Sequence, residues 1–275
     1  MKFLSSPHSL FPKPQSLNYM NKIIATIKMS VAGKLNGGVL ALFAGYLLRI
    51  VYLLPLVFLW RSLAEGGADL GGFSLEQLLT YTCVSAILRS QLDVQSGIVT
   101  WHYDGKMLDL YRRPQTIFGQ LVLITAGGWF PELLLFSLPL VLIVPFFGVN
   151  LVPASTWFWP SLVLAVSLGF AVDFIFACFI IRMKNATWMA YSLRHAVTML
   201  LSGAVIPFDL LPWGMGAVFR LLPFGSLAAA PLTLFTGMTE AGAVLPLQVF
   251  WNLLLWPLAA LAFGKSMEKM VSYGG

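Results

Sequence analysis

Charged residues are scarce in this sequence. Lysine, arginine, aspartate and glutamate make up only 10% of the 275 residues, whereas 58% are hydrophobic and the mean hydropathy is +0.82. Soluble globular domains carry about 25% charged residues, so this composition excludes a water-soluble enzyme. The apolar content also excludes a disordered or collagen-like chain. What is present, long apolar stretches, predicts an all-α integral membrane protein that crosses the bilayer several times.

Cysteine and histidine are scarce as well. The two cysteines, Cys83 and Cys178, lie in apolar stretches and fit neither a disulfide framework nor a CxxC metal motif, so we interpret them as small buried hydrophobic residues. The three histidines are scattered, and no nucleophile motif such as GxSxG accompanies them. The sequence therefore predicts no catalytic residue and no metal site.

The N-terminal region lacks an apolar core of signal-peptide length and any acidic residue. We expect residues 1–19, which are rich in serine and proline, to be disordered; a serine-rich transit peptide is the alternative, and Met20 is a second candidate for the start of translation. Residues 20–36 repeat apolar side chains at helical spacing, with Lys22 and Lys28 off that stripe. This pattern predicts an interfacial helix on the cytoplasmic surface, opening a single membrane domain over 20–275.

Six stretches are long and apolar enough to cross a bilayer of about 30 Å. They are 39–60, 74–98, 117–147, 157–181, 188–206 and 245–263. The third is interrupted by Pro131, Pro139 and Pro145, so we expect its outer end to be broken or tilted. The fifth carries Arg194 and His195 in its first half and is the weakest of the six.

The distribution of basic residues predicts the orientation of these spans. With both termini in the cytoplasm, thirteen of the 17 lysines and arginines fall in cytoplasmic segments, Arg194 among them. Only Arg61 and Arg220 fall outside. This positive-inside bias explains the net charge of +6 without nucleic acid as a partner.

The longest outside segment, 207–245, is mostly apolar but contains four prolines. Each stretch between prolines is too short to cross the membrane, which predicts short helices that re-enter the outer leaflet before the last span. We interpret them as a gate over a substrate path; a capping hairpin without function is the alternative. The residues assigned to this gate are Gly203, Pro207, Pro212 and Pro223.

The cytoplasmic loop 101–114 places leucine and tyrosine among charged residues and ends at a proline. This pattern predicts a short amphipathic helix that docks on a soluble partner; a solvated turn whose arginines fix the topology is the alternative. The candidate coupling residues are Asp104, Gly105, Lys106, Leu108, Asp109, Leu110, Arg112, Arg113 and Pro114.

Four ionisable residues lie inside the predicted spans, namely Arg49, Arg89, Glu132 and Asp173. Because charge in lipid is costly, such residues pair with one another or line a pathway. Arg89 and Asp173 have similar predicted depths, about 13 and 12 Å from the cytoplasmic ends of their spans, which predicts an ion pair between them. Asp93, four residues after Arg89, is the competing partner. Structural pairing and contact with substrate both stay open for the four residues.

The order of these features resembles the ABC-2 type permeases, which are membrane subunits of ATP-binding-cassette transporters. The resemblance covers roughly residues 20 to 270. The motifs that carry it are GKML at 105–108, RP at 113–114, SGAVIP at 202–207, LP at 211–212 and LPF at 222–224.

The resemblance implies a subunit of an exporter in a bacterial plasma membrane. Such a subunit pairs with a copy of itself or with a sister permease, and it binds a cytoplasmic ATPase through 20–36 and 101–114. ATP and Mg²⁺ then belong to that ATPase, and this chain is not itself an enzyme. The chain has no phosphate-binding loop of its own, because the nearest candidate, at 264–266, has Ala259 where the first glycine is required.

The cargo implied by the family is amphipathic or drug-like, and the abundant aromatic residues suit a cationic molecule. Two other classes stay open, namely an ion-driven secondary transporter and a membrane-embedded enzyme that modifies lipids.

Overall fold

The structure is a computed structural model that describes residues 38–103, 107–113, 115–182 and 187–273, together with six positions between 21 and 32. Every regular element of these ranges is helical. The helices are α1 (Gly38–Glu65), α2 (Leu75–Ile87), α3 (Arg89–Leu92), α4 (Ile98–Tyr103), α5 (Met107–Tyr111), α6 (Ile117–Glu132), α7 (Leu138–Ile143), α8 (Phe158–Arg182), α9 (Thr187–Leu201), α10 (Met215–Leu221), α11 (Ala229–Phe235) and α12 (Ala241–Tyr273). The predicted disordered segment 1–19 and most of the predicted interfacial helix lie outside the described residues.

Four helical stretches in the described part of the chain are long and apolar enough to cross a membrane. They are Phe43–Glu65 in α1, Ile117–Phe147 from α6 onward, Phe158–Ile180 in α8 and Ala241–Ser266 in α12. These stretches correspond to the first, third, fourth and sixth predicted spans. The all-helical, membrane-spanning character predicted from composition is confirmed to this extent.

The other two predicted spans differ from the expectation. Along 74–98, α2 begins at a capping box in which Ser74 and Gln77 exchange hydrogen bonds, but it ends at Ile87. Leu88 leaves the helical conformation and α3 adds a single turn, so the helix breaks in the middle of the predicted span. The fifth, α9, ends at Leu201 after 15 residues, below the roughly 20 that a span requires.

The prolines of the third predicted span disturb the helix as predicted. Pro131 lies in the last turn of α6, and a π-helical turn, Leu133–Ser137, follows it directly. A proline removes one helical hydrogen bond and crowds the preceding turn, which favours such a local widening. The path continues through α7 and ends in a 3₁₀ turn at Val144–Phe147, followed by Gly148 in the left-handed region at φ +77°.

The centre of the bundle is α8. Within the hydrophobic window of its span 61% of the residues are buried, against 11–22% in the other three spans. Its most extensive helix–helix contact is with α12. Along this contact, polar side chains of α12 bond α8 at intervals of four residues. The rungs of this polar ladder are Gln248 with Ser161, Asn252 with the carbonyl of Leu164, and Trp256 with Ser167. Interhelical hydrogen bonds of this kind stabilise helix pairs where both helices face lipid-like surroundings.

The short helix α11 is part of the interior. All seven of its residues are buried, and it packs against α8 and α2. Leu232 and Phe235 join the hydrophobic core around Leu78 and Phe158. The prediction of one outer segment over 207–245 therefore did not include the burial of α11, which completes the core.

The segment between α9 and α11 is folded tightly around Phe208, which is 3% exposed. Gly203 has φ +72°, and a Cβ there would lie 2.9 Å from that of Ala229. At Gly216 an added Cβ would overlap the carbonyl oxygen of Phe208. Glycine is favoured at Gly203 by its positive φ and by the side chains of Ala229 and Phe208, and at Gly216 because the backbone of Phe208 approaches directly.

Replacing Gly216 with alanine is expected to destabilise the fold because the new methyl group overlaps the Phe208 carbonyl, a cost of about 1–3 kcal/mol for overpacking. The matched control is Gly242→Ala in the first turn of α12, where a Cβ meets nothing within 4 Å. Thermal unfolding in detergent should show a lower melting temperature for Gly216→Ala only. Equal melting temperatures for the two variants would contradict the packing described around Phe208.

The first rung of the polar ladder can be measured by a double-mutant cycle. Gln248 is fully buried and bonds Ser161, whose hydroxyl donates to Oε1 at 2.8 Å, as well as the carbonyl of Ser226. The coupling free energy between Gln248→Leu and Ser161→Ala is expected to be about 0.6–1.7 kcal/mol, the range of hydrogen bonds between membrane helices. Additive effects of the two substitutions on unfolding would show that this rung contributes nothing.

Candidate functional site: a charged cavity at the helix break

A cavity of about 420 Å³ lies where α2 gives way to α3. Its walls come from α1, from residues 89–97, from α6 and from α9. The ionisable and hydroxyl residues in its lining are Arg49, Arg89, Ser90, Asp93, Ser96, Thr125, Glu132 and His195. So many polar side chains in a bundle of apolar helices make this cavity the candidate site.

The break itself is held by charged side chains. The Ser96 amide donates to Asp173 at 2.9 Å, and the Ser96 hydroxyl also donates to that carboxylate. The carbonyl of Val94 accepts from Arg194 at 2.6 Å. Buried non-helical backbone needs such partners, because a buried amide or carbonyl without a hydrogen bond is costly.

The close approach of this break to α8 depends on a glycine. A Cβ at Gly169 would lie 2.7 Å from Cγ2 of Val94, closer than side-chain carbons pack. Glycine at this position therefore lets residues 93–96 lie against α8, within reach of Asp173 one turn further on.

Arg194 connects two carboxylates. Its guanidinium lies 3.1 Å from Asp173 and 3.6 Å from Asp93, and the residue is only 3% exposed. His195 approaches Asp93 from the same helix, with Nδ1 and Oδ2 3.3 Å apart. These four residues form one network at the α8 side of the cavity, in which Asp173 and Arg194 are buried and Asp93 and His195 are partly exposed.

The predicted ion pair between Arg89 and Asp173 is therefore wrong. Asp173 pairs with Arg194, and the guanidinium of Arg89 lies over the ring of Tyr52, 5.4 Å from its centroid. The prediction assumed one helix through 74–98; because α2 ends at Ile87, Arg89 does not continue the face that would meet α8. Arg194, assigned to the cytoplasmic side, is instead buried in the bundle. Without it the positive-inside bias still stands.

Arg49 and Glu132 form a second ion pair, on the α1 side of the cavity. Ser90 donates a hydrogen bond to the same carboxylate. The Arg49 guanidinium also lies 4.8 Å from the ring centroid of Phe136. Three of the four predicted intramembrane residues, Arg49, Arg89 and Glu132, thus meet in the cavity, and Asp173 supports its wall from behind.

The charge in the site is divided between two ends. Arg49 and Arg89 lie with Glu132 at one end, whereas Asp93 and Asp173 lie with Arg194 and His195 at the other. The site can bind a polar or charged group at membrane depth. In the described part of the chain no group of three or more histidine, cysteine, aspartate or glutamate residues is placed to hold a metal ion.

A second cavity, of about 130 Å³, adjoins the first and shares Arg49 and Arg89 with it. The rest of its lining is mostly apolar and includes Leu53, Leu56, Ala86, Met199, Ala204 and Val205. It borders the chain just after α9, whose path is set by hydrogen bonds from α2. Tyr81 donates to the carbonyl of Gly203 and Ser85 to that of Ala204, each at 2.6 Å.

The predicted gate residues lie beyond this second cavity. Gly203 directly precedes Ala204 in the cavity lining, and Pro207 introduces the 3₁₀ turn Phe208–Leu210. Pro212 begins a second 3₁₀ turn, in which Trp213 has φ +56° and is 92% exposed. Pro223 lies in the turn that follows α10. An ion pair between Asp209 and Arg220 closes this segment on itself.

The coupling loop is anchored to α6. Leu110 is fully buried, and the Gln120 side chain donates to the carbonyls of Leu110 and Gln115 at 2.9 and 2.8 Å. Asp109 and Arg112 are exposed and 3.8 Å apart, and Arg113 is half-buried. Burial raises the pKa of the Tyr111 phenol, which stays protonated at neutral pH. Asp104, Gly105, Lys106 and Pro114, and the Leu108 side chain, lie outside the described residues.

Sequence reasoning did not assign Asp93, Ser96, Arg194 and His195 to the site. A signal was present, because both the 91–97 run and the first half of α9 place polar residues inside predicted spans. Comparison with protein families, with characterised proteins and with solved structures found no match to this chain. The geometry of the cavity and the order of the motifs are what supports a functional assignment.

Replacing Arg194 is expected to destabilise the protein, because two buried carboxylates lose their counter-charge. Arg194→Gln should cost about 3–5 kcal/mol of unfolding free energy. Adding Asp173→Asn to it should recover part of that loss, whereas Asp173→Asn and Arg89→Gln should give additive losses. Unfolding of the single and double variants in detergent measures both couplings. Stronger coupling of Asp173 to Arg89 than to Arg194 would contradict the pairing described here.

Proposed function

We propose that this protein is the membrane permease subunit of an ABC-2 type exporter. It moves an amphipathic or drug-like molecule out of the cytoplasm with energy from ATP that a separate subunit hydrolyses. The observation that carries this proposal is the charged cavity at a broken helix within the apolar bundle. Charged side chains kept inside an apolar bundle are typical of a transport pathway, because burying charge costs free energy that a purely structural bundle avoids.

In the proposed topology α2 with α3 and α9 supply the second and fifth of six spans. The elements from Pro207 to Phe224 re-enter the outer leaflet before α12. Both termini face the cytoplasm of a bacterium whose plasma membrane holds the complex. A second permease, either a copy of this chain or a sister chain, completes the pathway. ATP and Mg²⁺ are bound by the ATPase, not by this chain.

The anchoring of the coupling loop to α6 supports a route for energy transfer. The loop is fixed to α6 at Gln120, and the cavity is lined from the same helix by Thr125, Trp129 and Glu132. Twelve residues of helix, about 18 Å, connect Gln120 with Glu132. An ATPase that pulls on residues 101–114 would therefore move one wall of the cavity directly.

An ion-driven secondary transporter is the second candidate. The contact between His195 and Asp93 favours it, because a histidine beside a carboxylate can exchange a proton during transport. Such a transporter works without an ATPase, so the two candidates differ in what accompanies the protein in its membrane. No described feature favours an enzyme that modifies lipids.

The decisive experiment is purification of the tagged protein from its own membranes in mild detergent, followed by mass spectrometry. We expect a stoichiometric soluble subunit with a phosphate-binding loop, and a second six-span chain if the permease is a heterodimer. Recovery of the protein alone would contradict the exporter assignment and favour ion-driven transport.

The coupling loop should be tested at its exposed residues. Arg112→Glu is expected to reduce co-purification of the ATPase several-fold, because Arg112 is exposed directly after α5. The control is Lys265→Glu, which makes the same charge change at an exposed position near the predicted cytoplasmic end of α12. Leu110→Asp is not suitable, since Leu110 is buried against the bundle. Equal recovery of the ATPase with Arg112→Glu and Lys265→Glu would exclude this docking surface.

A further inference from the structure

The two cavities meet at a pair of arginines. Arg49 and Arg89 line both the polar cavity of about 420 Å³ and the smaller apolar cavity of about 130 Å³. A molecule that occupies both must therefore pass between these two guanidinium groups. Its polar part would lie among hydroxyl and charged groups, and its apolar part against aliphatic side chains.

The carboxylates of the polar cavity are already engaged. Glu132 accepts hydrogen bonds from Arg49 and Ser90, and Asp93 lies within reach of Arg194 and His195. An incoming cation would have to displace these groups before it met a carboxylate. An incoming anion meets Arg89, whose guanidinium lies over the ring of Tyr52, and beside it Arg49, which it would share with Glu132. Guanidinium binds phosphate and carboxylate in a forked geometry.

We propose that the two cavities form one binding site for an amphiphile with an anionic headgroup. A phosphate or carboxylate lies against Arg49 and Arg89, and the part of the apolar chain next to the headgroup occupies the second cavity against Leu53, Leu56 and Met199, because a cavity of about 130 Å³ is too small for a whole sixteen-carbon chain. This inference names the class of molecule that the exporter moves, and it rests on the proposed function for the direction of movement. It replaces the cationic cargo that the aromatic composition favoured.

The position of the second cavity supports this assignment. It ends at Ala204 and Val205, next to the backbone that Tyr81 and Ser85 hold in place. The apolar chain of a bound amphiphile would thus point toward the segment proposed as the gate, with its headgroup still held by the arginines.

Binding can be measured on the purified full chain in dodecyl maltoside, without the ATPase. Radiolabelled palmitate is the probe, and the competitors are hexadecyl phosphate, hexadecyltrimethylammonium and hexadecanol, which share a chain and differ in charge. We expect displacement by hexadecyl phosphate and little displacement by the cation or the alcohol. Equal displacement by hexadecyltrimethylammonium would overturn the proposal.

The variants test the two parts of the site separately. Arg89→Gln is expected to weaken palmitate binding about ten-fold or more, the loss typical of a hydrogen bond to a charged group. Arg61→Gln is the matched control, because Arg61 also lies over an aromatic ring, Phe147 at 6.0 Å, but outside both cavities. Ala204→Leu fills the second cavity without changing charge and should weaken binding of the chain. Unchanged binding in both Arg89→Gln and Ala204→Leu would overturn the proposal.

Two further arms identify the source of the amphiphile. Solvent extraction of the purified protein tests for a bound phospholipid that is present in the wild type and lost from Arg89→Gln, which indicates a resident bilayer lipid. Stimulation of ATPase activity in the purified complex by palmitate, but not by hexadecanol, indicates a transported molecule. The binding assay does not depend on an ATPase. If no ATPase is recovered, the exporter assignment is contradicted. The palmitate binding assay still decides independently whether the anionic site exists.

Discussion

The break between α2 and α3 leaves buried backbone amides and carbonyls that need hydrogen-bond partners, and the structure depends on how this need is met. Asp173 and Arg194 supply the partners for the backbone at Ser96 and Val94, and they neutralise each other in doing so. Because α8 and α9 provide these two side chains, the break joins three elements. The cavity exists because the chain leaves its helical path here, so the charges that stabilise the fold also shape the site.

Much of the architecture followed from composition. Long apolar runs located α1, α6, α8 and α12 because a helix is the only open structure that satisfies its own backbone in lipid. At α2 and α9 hydropathy did not show where the helices end, because it sums residues over a window and does not register a break in the helix. The buried position of α11 was also missed, since a seven-residue apolar helix looks the same on a surface as in a core.

The candidate site was predicted in part. Costly charges in apolar stretches identified Arg49, Arg89, Glu132 and Asp173, but their pairing was argued from depth along straight helices. Depth is unreliable once a helix breaks, and Arg194, which was counted among the cytoplasmic basic residues, was not considered as a partner of Asp173. The coupling loop shows a related limit: a pattern of leucine among charges marks an amphipathic unit, yet only packing shows that Leu110 faces the bundle and Arg112 does not.

The π-helical turn that follows Glu132 also bears on how far a movement can travel. In such a turn each hydrogen bond spans one more residue than in an α-helix, so the turn can tighten or migrate along the helix with little change in the number of hydrogen bonds. Under the proposed mechanism, a displacement that enters α6 at the predicted coupling loop would be carried along the helix to the cavity, and the π-helical turn can absorb it there. The part of this span beyond the turn, through α7 to Phe147, would then remain at rest while the wall of the cavity that carries Thr125, Trp129 and Glu132 moves.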